Sequence, residues 1–180
     1  MSVLFFLVLN MTEFQKYIQR YLDLIPSENW ISHLQLIGSE TELFFESLSE
    51  EAAGFSYGEG KWSLRVLLQH LIDAEKIFNY RALCFARNDL KELPYWDEEH
   101  FAEYSNASRY EMDDLIDEFR SVRKLSTLFF QHADYEMLSR KGVANANEIS
   151  VETIGKLIVG HNIHHLNIIR ERYLPKMKIS

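Results

Sequence analysis

Four stretches of the chain repeat apolar residues at helical spacing, and no stretch of any length alternates them as a strand would. The first runs from about Ser27 to Ser49 and places Trp30, Leu34, Ile37, Phe44 and Leu48 on one side. The second, Ser63 to Arg87, carries Leu64, Leu67, Leu68, Leu71 and Phe78 as a core stripe, with Ser63 as its expected N-cap. The third opens at Ser108, which with Glu111 has capping-box spacing, and turns Leu115, Phe119, Val122, Leu125 and Phe129 inward. The fourth opens at Ser150 and stops before Pro175. The pattern predicts an all-α fold.

The connections differ in character. The segment from Asn88 to Ala107 is long for a link within a compact bundle, which makes it a crossover or a functional lid. It holds Leu93, Pro94, Tyr95, Trp96 and Phe101 among acidic residues, aromatics that need a cavity mouth or a partner to cover. Asp97, Glu98 and Glu99 are expected to open a short helix there and are not expected to be metal ligands. The link from Ala133 to Ser150, with Gly142 and two asparagines, reads as turn-rich.

The fourth helix carries the chemistry. At 100° per residue Ile154, Leu157, Ile158, His161, His165, Ile168 and Ile169 fall in one stripe, with His161 near its centre and His164 at its edge. An imidazole among isoleucines needs a hydrogen-bond partner or a metal, and two of them one turn apart can share a cation. The second helix offers the third ligand. Beside its core stripe runs a line of Val66, His70, Asp73, Ile77 and Arg81, in which ionisable groups border the core and point to a lined cavity. His70, His161 and His165 together are the expected metal ligands.

Roles for the neighbours follow from position. Asp73, one turn beyond His70, can orient an imidazole or accept a proton from a bound nucleophile, or else pair with Arg81 or another basic residue. Glu75 points about 140° away from His70 and suits a helix-to-helix ion pair. Arg81 and Arg87 are candidates for an anionic substrate. A di-iron bundle needs Glu-x-x-His and a zincin needs His-Glu-x-x-His; no histidine here follows a glutamate by three, and position 162 is Asn.

The segments YGEGKWSLRVLLQHLIDAEKIFNYRALCFAR, LPYWDEEHF and VANANEISVETIGKLIVGHNIHHLNIIRERYL resemble the DinB/YfiT-like family, its DinB_2 branch in particular, over about Met11 to Pro175. The Trp62-Ser63 pair, His70, and the His161-x-x-x-His165 motif carry the likeness. The resemblance implies a four-helix bundle with a long connection between helices 2 and 3, and one divalent metal, zinc or nickel, on the three histidines. It also implies a metal-dependent hydrolase or a thiol S-transferase using a low-molecular-weight thiol, in a homodimer acting on a small molecule. The alternative is a non-catalytic interaction protein in which the metal only braces the bundle.

Composition narrows this further. A formal charge of −8 over 180 residues, with no Lys/Arg stripe, excludes a nucleic-acid surface. One cysteine, Cys84, excludes an internal disulfide and fits a reducing cytoplasm; an inert thiol is expected there. The opening run SVLFFLVL has no basic flank and is too short to span a bilayer. Residues 1–10 are therefore expected to be a dispensable extension, with translation starting at Met11, and residues 11–175 a single domain with no membrane partner.

Overall fold

Most helices open where a side chain takes up N–H groups that the first turn leaves free. The computed structural model describes residues 11–27, 29–89 and 91–177; the expected extension lies outside them. Helix α1 (Glu13–Leu22) starts at a reciprocal capping box of Thr12 and Gln15, at 3.1 and 2.9 Å. Helix α2 (Trp30–Glu46) follows, then the single turn α3 (Glu50–Ala53). Ser63 caps α4 (Leu64–Ala86) as expected, and Asp97 caps the short α5 (Glu98–Tyr104). After α6 (Met112–Gln131) and α7 (Tyr135–Ser139), strands β1 (Lys141–Ala144) and β2 (Asn147–Ser150) form an antiparallel hairpin. Ser150 then caps α8 (Val151–Ile168), which widens into a π-helical turn, Ile169–Tyr173.

Helices α2, α4, α6 and α8 form the bundle. In it α2 packs on α6 and α8, and α4 packs on the same two, so α2 stands diagonally from α4 and α6 from α8. Directions follow from paired residues. Contacts from α4 climb together with α6, Lys76 to Glu118 and Asn79 to Ser126, so these neighbours run parallel. Trp30 meets Gly155 and Thr41 meets Asn162, so α2 and α8 are parallel too, whereas His70 meets His165 while Val151 joins Phe85 and Ala86 at the other end. The order is up, down, down, up. A chain leaving α4 must return the full length of that helix, roughly 34 Å, before α6 can start in parallel. The long connection is thus a crossover, and its path takes it over the α4–α8 seam.

Two apolar clusters fill the interior, one around Trp30, Phe85, Phe130 and Ile154, the other around Phe45, Leu68, Phe119 and Tyr173. Between them lies a buried polar network to which all four bundle helices contribute. Arg123 of α6 gives Nε and Nη2 to the Glu75 carboxylate of α4 (2.9 and 2.8 Å) and Nη1 to the Leu34 carbonyl of α2 (2.9 Å). Its Nη2 also donates to Asn162 of α8 (2.8 Å), whose amide donates to Thr41 of α2 (2.9 Å). This is the helix-to-helix ion pair expected of Glu75.

Several expectations need correction. Ser108 does not open α6: Asn106 adopts a left-handed conformation (φ 53°), Ser108 falls in a separate 3₁₀ turn, and the Met112 N–H is taken by Glu50 instead (2.8 Å). Leu125 is 57% exposed, because drawing Arg123 inward to Glu75 rolls Ser126, Thr127 and Phe130 into the core. Helix α1 adds a fifth packed helix, laid on α8. The supposed turn-rich link holds the β-hairpin.

Candidate metal centre

His70 sits in the second turn of α4, and His161 and His165 occupy successive turns of α8 across the seam. Their Nε2 atoms form a near-equilateral triangle: 3.1 Å from His70 to His161, 3.2 Å from His70 to His165 and 3.1 Å from His161 to His165. Hydrogen bonding among themselves cannot satisfy this arrangement. Each Nε2 of a neutral imidazole is either donor or acceptor, and around a ring of three at least one pair must be alike. Burial holds the protons off. It lowers the pKa of His70 to about 4, helped by His164, and pushes His161 and His165 well below the usual imidazole value, helped by their neighbouring histidines. Three neutral rings thus aim at one point. Three nitrogens sharing a tetrahedral zinc at 2.0–2.1 Å stand about 3.3 Å apart, close to the spacing seen. Among the described residues the three histidines form a group able to hold an ion. Nδ1 of His165 is buried and has no hydrogen-bond partner there.

Aromatic rings enclose the triangle. Trp62, just before the Ser63 cap, packs on His70 at 4.7 Å, and Trp96 of the crossover stacks on the same ring at 6.1 Å and 19°. Phe78 meets His161 edge-on at 5.9 Å. From α1, Tyr21 meets His161 at 5.7 Å and His164 at 5.4 Å. Gly160 makes that approach possible, since a Cβ there would lie 2.3 Å from the Tyr21 carbonyl oxygen. The Tyr173 hydroxyl donates to the Trp62 carbonyl (2.8 Å) and fastens the π-helical turn to the cover over His70.

The imidazoles stand in a wall between two cavities. His161 opens on the larger, about 470 Å³, whose lining is mostly apolar and includes Ile154 and Leu157. His70 and His165 open on the smaller, about 250 Å³, which carries Lys61, His164 and Arg172. Tyr21 and Glu98 line both.

Other expected residues are placed as follows. The Asp73 carboxylate accepts from Gln69 (3.0 Å) and lies 3.8 Å from the Lys76 ammonium; burial raises its pKa. Arg81 donates to the Pro94 carbonyl (2.8 Å) and lines the larger cavity. Cys84 is half-buried. Sequence reasoning did not single out Tyr21, and it gave Glu98 no place at the site. The Thr12–Gln15 capping box was the available sign of the helix that delivers Tyr21. Glu98 carried no comparable signal.

The match to the family model described as the DinB superfamily spans residues 33–169, most of the chain and all three histidines. This chain belongs to the DinB superfamily. A search of curated proteins finds no match. Among solved structures, this DinB chain is similar to YfiT from Bacillus subtilis, described as a probable metal-dependent hydrolase with an unusual four-helix bundle topology. The two superpose with a TM-score of 0.71 over 92% of this chain and 90% of that one, at 18% identity. At that identity the likeness establishes the fold that the DinB bundle adopts. No helix of the described residues is long and apolar enough to cross a membrane.

Proposed function

We propose that His70, His161 and His165 hold one divalent metal, zinc or nickel, and that the chain is a metal-dependent enzyme of the hydrolase or thiol S-transferase type acting on a small molecule. The observation that carries this is the triangle of Nε2 atoms of three neutral imidazoles, 3.1–3.2 Å apart, placed between two cavities. A metal held by three histidines keeps a position for water, a thiolate or a polarised carbonyl, and makes bound water acidic near neutral pH.

The chain's own residues supply the rest. Burial keeps the imidazoles neutral, so their lone pairs are available at physiological pH. Trp62, Trp96 and Phe78 exclude bulk water from the rings, which strengthens any charge interaction at the site. Tyr21 and Glu98 line both cavities. Cavities that reach the imidazoles from two sides favour catalysis over a purely bracing ion. A reducing cytoplasm, a homodimer and a low-molecular-weight thiol as co-substrate belong to the same reading.

Metal analysis by mass spectrometry on protein purified without an affinity tag tests it. About one zinc or nickel per chain is expected in wild type, with loss in His161→Ala. Folded wild type that takes up neither ion would refute the reading. With metal established, ester hydrolysis and thiol transfer to electrophiles are compared, each against His161→Ala.

A further inference from the structure

The mostly apolar wall of the larger cavity carries two charged side chains, Glu98 and Arg81, which do not pair with each other. Arg81, on α4, lines it with a half-buried guanidinium that has no ion-pair partner among the described residues. Its identified hydrogen bond goes to the Pro94 carbonyl, a neutral acceptor that fixes the side chain against the crossover. Burial alone pulls its pKa down, and no neighbouring acid opposes that shift. A cation half out of water without a counter-charge is costly, and a ligand that brings the missing negative charge recovers the cost.

The geometry of α4 relates this cation to the metal centre. Arg81 follows His70 by three turns, roughly 16 Å of helix rise, and returns to nearly the same face. Phe78 lies between them along the helix, in contact with His161. Across the cavity Ile154 and Leu157 of α8 lead up to His161 in the opposite direction. The space is therefore a slot with the His161 imidazole at one end, a guanidinium toward the other and a mostly apolar wall between, to which Glu98, Asn145 and Asn147 add polar groups. Its volume, about 470 Å³, falls within the range of pockets that enclose small molecules, roughly 300–1,000 Å³.

We propose that the substrate is an apolar carboxylate, an aryl or alkyl body seated in this slot, with its carboxylate on Arg81 and its reacting group at the three histidines. This rests on the metalloenzyme reading for the reaction but not for the binding. A guanidinium and a carboxylate form paired, charge-assisted hydrogen bonds, and a neutral amide cannot replace them.

Isothermal titration calorimetry with 6-phenylhexanoate, its primary amide and acetate tests the proposal, on metal-loaded and chelator-stripped protein. The acid should bind at least tenfold more tightly than the amide in both forms, and acetate should not bind measurably. Arg81→Gln should erase the preference for the acid while leaving metal content at the wild-type level, and Arg81→Lys should keep part of it. Equal binding of acid and amide to wild type overturns the proposal. So does a preference that survives Arg81→Gln, or one that vanishes when the metal is stripped, since the carboxylate would then be a metal ligand. Should Arg81→Gln fail to fold, the stripped wild type still decides. Absence of metal from the protein, with the acid preference intact, would sink the metalloenzyme reading and leave this one standing.

Discussion

Replacing Glu75 by Gln should be among the most damaging single changes that leave the metal centre untouched. Glu75 and Arg123 are 3% and 5% exposed, and the carboxylate takes Nε and Nη2 of the guanidinium as well as the Ser126 hydroxyl at 2.5 Å. Glutamine keeps the shape but removes the charge and turns an N–H₂ group toward a donor-only partner. Arg123 would retain the Leu34 carbonyl and Asn162 as neutral acceptors, too little for a cation denied water. Breaking one side of a buried pair costs about 3–5 kcal/mol. For a chain of this size, roughly 2–4 °C per kcal/mol, the melting temperature should fall by about 6–20 °C. Urea denaturation followed by circular dichroism measures the loss. A double-mutant cycle with Arg123→Met separates the pair from its surroundings: the double variant should cost less than the sum of the singles by about 2 kcal/mol. Additive singles, or Glu75→Gln within about 1 kcal/mol of wild type, would show that the pair is not the tie between helices described above.

Three further outcomes are expected. Metal-stripped protein should lose stability as pH falls from about 6.5 through 4, because the unfolded chain takes up protons that the folded His70 refuses; the shift to about 4 corresponds to about 3 kcal/mol, and a flat pH dependence of the urea midpoint over that window would contradict the burial argument. Ala146→Gly should stabilise the chain by about 1 kcal/mol, since Asn145 and Ala146 occupy the two left-handed positions of the hairpin turn (φ 53° and 57°) and alanine pays for its Cβ there; unchanged thermal unfolding would refute this. Gly160→Ala should displace Tyr21 from His161 and lower the melting temperature, with heteronuclear NMR showing shifts concentrated in α1 and α8; an unperturbed Tyr21 would mean that the close approach is not required.

Much of this was legible because helical periodicity and histidine spacing are local properties. Ser63, His70, His161 and His165 could be placed by counting residues, and the structure brings the three rings together. What escaped depends on partners distant in sequence. Nothing within α6 shows that Arg123 belongs inside and Leu125 outside; Glu75, Leu34 and Asn162 decide that, each on a different helix. The hairpin strands, Lys141–Ala144 and Asn147–Ser150, are too short for alternation to register against noise, although their burial does alternate in β1. Tyr21 reaches the site only because a remote glycine lets α1 settle on α8.

The crossover and the hairpin are stitched together: Leu93 donates to the Val143 carbonyl, and Asn145 donates back to the Leu93 carbonyl, at 2.9 and 3.0 Å. These two segments supply Tyr95, Trp96, Ala144 and Ile149 to the larger cavity, whereas all three histidines stand on α4 and α8. The three histidines and this part of the cavity wall thus reside on separately encoded parts of the chain. A lineage, or an engineer, can vary that one paired patch to change which molecules fit, without moving a single imidazole.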